Sequence, residues 1–163
     1  MSEPTPETLA YHEAGHAFAA YRLGGKVRSV TIEPDRDDGP ARQGDTQIVW
    51  RRTRMSEREF ALVTIQVCLS GPVAEMLYDD APYHPGLVAE WADDWRQAWQ
   101  AAALVHADER KRLAFLEDAS IRLYHRTKQD DHWAALAALA DNLLAHETLD
   151  AEQVADILSD WGI

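Results

Sequence analysis

A single cysteine among 163 residues, Cys68, means that no disulfide can close within the chain and that a zinc site built on cysteine thiolates is excluded by count. A reducing compartment, the cytoplasm, is the expectation. Basic residues are also in short supply, with 16 Lys and Arg against 28 Asp and Glu for a net charge of −12. That balance repels phosphate backbones and anionic lipid, so nucleic acid and membrane surfaces are not expected partners. The N-terminal Met1-Ser2-Glu3-Pro4 lacks the basic and apolar character of a signal peptide, and no apolar run approaches the roughly 20 residues of a membrane span, so membrane insertion is not expected. A G-x-x-x-x-G-K-[ST] phosphate loop is missing, so the chain carries no recognisable ATPase. Internal repeats are missing too, and the Ala-rich stretch 134–140 reads as close-packed helix rather than low complexity.

What is present is a globular composition, 46% hydrophobic and 27% charged, in a length suited to one domain over residues 1–163. Thr5-Pro6 reads as the N-cap and first residue of a helix that Gly24-Gly25 stops. Residues 27–32 and 46–50 alternate as strands, with a loop rich in Asp, Pro and Gly at 33–45 between them. Ser56-Glu57-Arg58-Glu59 is a capping box opening an apolar helix to about Tyr78, in which Ser70-Gly71-Pro72 predicts a kink or tight packing. Helices follow near 87–105, 107–127, 131–147 and 150–160, the last opened by Asp150-x-x-Gln153. The expected fold is mainly α (α+β), a helical domain with a small β-sheet inserted after the first helix. Residues 1–86 hold that helix, the sheet and the apolar helix, and 87–163 the remaining helices.

Within the first helix stands His12-Glu13-Ala14-Gly15-His16. Residues four apart on a helix lie about 40° apart on one face, so both imidazoles can reach one metal ion, and Zn2+ is the ion this pattern suits. Glu13 projects beside them without joining them, placed to take a proton from water that the metal has acidified to a pKa of about 7. Catalytic zinc takes three protein ligands, and this motif supplies two. Among the other histidines, 84, 106, 125, 132 and 146, none repeats a ligand spacing. Carboxylates are better candidates. Trp91, Trp95 and Trp99 form a stripe read as core packing, Asp93, Gln97 and Gln100 share a wet face, and Asp94 aligns with Ala98, Ala101 and Val105 on a small apolar one. A carboxylate held there wants a cation as partner. Glu75, among Val73, Ala74 and Leu77, is the rival, either as ligand or as an acceptor orienting a ligand histidine. Pattern alone does not rank the two.

These residues, taken in order, resemble the peptidase domain of the FtsH family of ATP-dependent zinc metalloproteases. The resemblance runs through residues 10–17, through Val30-Thr31-Ile32-Glu33-Pro34 and Gly44-Asp45-Thr46-Gln47, through residues 69–75, and through residues 143–150. It places the family's Asn-Asp-Leu-x-x-Ala on Asp93-Asp94-Trp95-Arg96-Gln97-Ala98, which implies Asp94 as third zinc ligand, and it implies for Glu75 a role supporting the ligands. The chain departs from the family in lacking the Thr-Gly-Ala turn before Asp93 and in carrying Pro72 where the family has Arg. The expectation is a peptidase domain standing without the family's ATPase module and membrane anchor.

The function this implies is a zinc-dependent endopeptidase in which His12, His16 and Asp94 hold the metal and Glu13 activates water. Its substrate is an unfolded or flexible polypeptide lying as an added strand beside Thr46, Gln47 and Ile48. A separate ATPase or adaptor is the partner expected to deliver folded chains. The alternative is a scaffold or binding protein that keeps the fold without turnover, and a hydrolase of non-peptide amides is a third possibility.

Overall fold

A computed structural model of the chain describes residues 4–34 and 44–162. The loop expected at 33–45 falls mostly outside the described residues, as do Met1, Ser2 and Glu3 of the N-terminal reading. The first helix, α1, spans Pro6–Arg22. Thr5 caps it by accepting from the Thr8 backbone at 3.1 Å, Thr8 returns the contact to the Thr5 N–H at 2.9 Å, and Pro6 enters where no N–H is needed. Gly24 ends it at φ +91°, a left-handed backbone that costs glycine nothing.

The strands β1 (Lys26–Thr31) and β2 (Asp45–Val49) follow, then α2 (Glu57–Asp79), which opens on the Ser56–Glu59 box. α3 (Ala92–Ala102) is shorter than the expected 87–105, because two turns of 3-10 helix, Pro85–Leu87 and Ala89–Trp91, occupy its approach. α4 (Glu109–Thr127) and α5 (Asp130–His146) lie within two residues of their expected bounds. A short strand, β3 (Thr148–Asp150), precedes α6 (Ala151–Ser159), which opens on the Asp150–Gln153 box. The fold class is as expected, mainly α with a small antiparallel sheet of order β2-β1-β3.

The third strand is an addition to the sequence reading. Three residues are too few to show alternation, and β3 exists because Glu147, at φ +66°, turns the chain so that Leu149 pairs with Val30. The Ile32 N–H bonds the Glu147 carbonyl at 2.9 Å and secures that turn. β1 is the central strand, with β2 on one side in a register of Val30 opposite Thr46.

Two apolar clusters meet along α1 and α2. One joins α1 and β1 to α5 and α6 through Phe18, Val30, Leu139, Leu143 and Leu158, and the other joins α2 to α3 and α4 through Ile65, Leu69, Ala98 and Leu116. Where α1 crosses α2 the backbones touch: a Cβ on Gly15 would lie 2.4 Å from the Ser70 carbonyl oxygen. Small residues at the crossing are therefore obligatory, and tight packing is what the Ser70-Gly71-Pro72 segment provides. Stacking of Tyr11 on Tyr78 at 4.3 Å and on Trp133 at 5.3 Å pins α1 to α2 and α5 one residue before His12.

The reading that no apolar run approaches the length of a membrane span meets one qualification in α2. α2, 23 residues long, is apolar enough to cross a membrane by length and composition, with a mean hydropathy of 1.6 over 18 of its residues. Thr64, Gln66, Ser70 and Glu75 interrupt its apolar run while the average stays high, which is why no continuous span is visible in the sequence. Of its most apolar 18 residues 61% are buried inside the molecule, and the helix packs against α1, α3 and α4.

Candidate metal centre

His12 and His16 leave α1 side by side and meet Asp94 from the first turn of α3. Their donor atoms lie within 4.8 Å of one another, the one such three-residue group among the described residues. The His12 Nε2 stands 2.9 Å from Asp94 Oδ2, the His16 Nε2 stands 3.4 Å from Asp94 Oδ1, and the two Nε2 atoms are 3.0 Å apart. The other ring nitrogens are committed elsewhere. His12 Nδ1 is 2.7 Å from Glu75 Oε2, and His16 Nδ1 is 2.7 Å from the Val67 carbonyl. Each Nδ1–H donates outward to an acceptor, so each Nε2 is the ring nitrogen turned toward Asp94.

Two imidazole nitrogens and a carboxylate thus converge on one point. The buried carboxylate calls for positive charge beside it, which a metal ion at the focus or a proton on an imidazole supplies. Donors bound to one tetrahedral zinc at about 2.0–2.1 Å are about 3.3 Å apart, close to the separations here. The residues present therefore fit zinc. Burial works against charge on His12, yet hydrogen bonds to Asp94 and Glu75 raise its pKa well above the ordinary histidine value. His16 is likewise raised, with Asp94 overcoming its burial. For Asp94 burial pushes up, and the two imidazoles more than reverse it, holding the carboxyl well below the usual carboxylate range.

The helices must come close to allow this. A Cβ on Gly71 of α2 would sit 2.5 Å from His16 Nε2 and 3.0 Å from His12 Nε2, so only glycine lets α2 pass beneath both rings. Glu13 is 6% exposed, and burial raises its pKa against the pull of His16 and His12. Thr46 of β2 holds it, with its hydroxyl 3.3 Å from Glu13 Oε1 and 3.4 Å from the Glu13 carbonyl. Gly44 packs on the same side chain, where a Cβ would meet Glu13 Cγ at 3.0 Å.

A cleft of about 500 Å³ opens over these groups. The two histidines, Glu13, Asp94 and Glu75 line it together with Thr46 and Ile48 from β2. Gln47 is not brought there: its side chain is exposed on the other face of the strand, as alternation dictates, and contacts Asp45 at 3.3 Å. Asp93 sits at the cleft's edge but is bound by Arg96 and, at 2.8 Å, by Gln97. None of the remaining histidines joins the cluster. Cys68 lies buried in the cleft wall, its thiol pushed up to about 12 by burial and the nearby Asp94 and Asp93 charges.

Sequence reasoning did not find the Val67 carbonyl, the need for glycine at 71, or the bond from the Trp91 indole to Glu75. Backbone acceptors carry no side-chain signal. Trp91 is buried as the stripe predicts, but nothing in a stripe tells which indole finds an acceptor.

No protein-family profile matches the chain. Individual proteins do. An ATP-dependent zinc metalloprotease FtsH of Acidimicrobium ferrooxidans is 28% identical across 98% of this chain and 29% of that protein. The chloroplastic/mitochondrial ATP-dependent zinc metalloprotease FTSH 11 of Arabidopsis thaliana is 30% identical across 97% of this chain and 22% of its own length. FtsH 4 of Sorangium cellulosum is 42% identical over 46% of this chain and 12% of that protein. The chain is thus similar over nearly its whole length to proteins named as FtsH zinc metalloproteases, the resemblance its motifs carry, and it spans less than a third of each.

Proposed function

We propose that this chain is a zinc-dependent endopeptidase that hydrolyses flexible polypeptides. The observation that carries the reading is the convergence of the His12 and His16 Nε2 atoms on the Asp94 carboxylate, beside a buried Glu13. Zinc, when bound, supplies a Lewis acid that brings water to a pKa of about 7 and polarises the scissile carbonyl. The protein's own residues do the rest. Glu13 accepts the proton that the attacking water loses and returns it to the departing amine, and burial, by raising its pKa, suits it to both halves of that task. The Thr46 hydroxyl steadies the carboxylate from β2. β2 lies at the edge of the described sheet, and a substrate strand laid along it is held by backbone bonds, with Gln47 contributing through its main chain alone.

These 163 residues hold no phosphate loop, so a polypeptide already unfolded, or one delivered by a separate ATPase or adaptor, is the substrate this reading expects. The single buried Cys68 suits a reducing compartment, and we place the activity in the cytoplasm. The test is Glu13→Gln, which keeps volume and every metal ligand. Zinc content by elemental analysis stays at the wild-type level while the initial rate on a fluorogenic peptide falls about 100- to 10,000-fold. A zinc-loaded variant that cleaves at the wild-type rate removes Glu13 as the base. A zinc-loaded wild type inert toward every unstructured substrate favours the scaffold alternative.

A further inference from the structure

Trp91 is the one fully buried member of the tryptophan stripe, 4% exposed, at the end of the turn that leads into α3. Its indole N–H donates to Glu75 Oε2, the same oxygen that lies 2.7 Å from His12 Nδ1. One carboxylate oxygen of α2 is therefore held by two donors, one from α1 and one from a residue three positions before Asp94. The geometry points to Trp91 as a positioning residue for the metal centre: its N–H fixes the Glu75 carboxylate, which fixes the plane and tautomer of the His12 ring.

The inference rests on the reading of His12, His16 and Asp94 as a zinc site. A carboxylate with a single donor can turn about its own χ angles, and a ring held by such a carboxylate presents its Nε2 over a wider arc. Groups that orient a ligand histidine act on metal affinity by about 10- to 100-fold. If Trp91 served packing alone, removing the N–H while keeping an aromatic ring would leave zinc binding untouched.

The experiment is a competition titration of Zn2+ against a chromogenic chelator on the purified chain, in wild type, Trp91→Phe, Glu75→Ala and the double variant, with thermal melts alongside. Trp91→Phe is expected to weaken zinc about tenfold, the lower end of the range for such supporting groups. In the double variant the loss should stay within about twofold of that in Glu75→Ala, as for two residues acting in series. A zinc affinity of Trp91→Phe within twofold of wild type overturns the inference, and so does a Trp91 loss that adds in full on top of Glu75→Ala. Wild type that binds no zinc overturns the metal centre itself, an outcome distinct from both. Should Trp91→Phe fail to fold, the Trp91 indole proton, assigned by its proximity to the His12 ring in proton NMR, decides: it moves upfield in Glu75→Ala if the bond exists, and an unmoved resonance sinks the proposal.

Discussion

The candidate metal centre is assembled from two unequal helices. α1 buries nine of its 17 residues, His16 and Glu13 among them, and is gripped by α2, α5 and β1. α3 buries two of 11, Ala98 and Ala102, and leans on α2, on α4 and on the two 3-10 turns before it. The first helix presents its histidines from inside the core, where packing leaves a ring little freedom. The second presents a carboxylate from a half-exposed helix whose rotation by one residue, about 100°, would exchange Asp94 for Asp93. Arg96 and Gln97 hold Asp93 to the outer side of that helix, while Ala98 and Ala102 seat the opposite face in the apolar cluster that includes Leu69 and Val73. Rigidity on one side and register on the other are separate requirements, and a metal site needs both.

The sharpest break of that comparison is Asp94→Ala against Asp93→Ala. Removing a direct ligand should weaken zinc by more than about 100-fold, above the range for residues that only orient ligands, while Asp93→Ala leaves affinity within about twofold. Elemental analysis and chelator competition read both, and full zinc in Asp94→Ala would show that α3 contributes no ligand.

On the rigid side, Gly71→Ala places a methyl group 2.5 Å from His16 Nε2, so both rings must shift or α2 must retreat. We expect zinc affinity to fall about tenfold or more, with a loss of roughly 1–3 kcal/mol in stability from overpacking. A denaturant melt of metal-free protein separates the two effects. Unchanged affinity would mean that α1 has slack the close crossing does not suggest.

The smallest effect tests the wall between the two helices. Cys68, buried and carrying a thiol pushed up to about 12, should stay protonated at pH 8 and resist iodoacetamide, as judged by mass spectrometry of the native protein. Its folded pKa is raised, so the thiol remains neutral until the solution becomes strongly alkaline. Rapid alkylation at pH 8 would show that α3 lifts away from α2 and exposes the cleft wall, and it would weaken the case that Asp94 is held in register.

Legibility followed sequence distance. His12, Glu13 and His16 could be read because helical geometry alone brings i and i+4 to one side, and capping chemistry at Thr5, Ser56 and Asp150 marked helix starts because those bonds span three residues. Asp94 and Glu75 could be proposed from the apolar faces they sit on, but not ranked. Both touch His12 in the folded chain, Glu75 at Nδ1 and Asp94 at Nε2, and which nitrogen each carboxylate takes is a fact about where α2 and α3 pack.

The sequence by itself determined the mainly helical fold with an early sheet, the pair of imidazoles with a carboxylate between them, and the absence of thiolate alternatives, since each follows from local periodicity or from composition. Only the tertiary structure decided that β3 pairs with β1, that α2 needs glycine beneath the rings, that Gln47 faces away from the cleft, and that Trp91, Glu75 and Val67 hold the two histidines. The physical reason is that these depend on the approach of segments tens of residues apart, where close packing and the pairing of buried polar groups, rather than any local preference, select the arrangement.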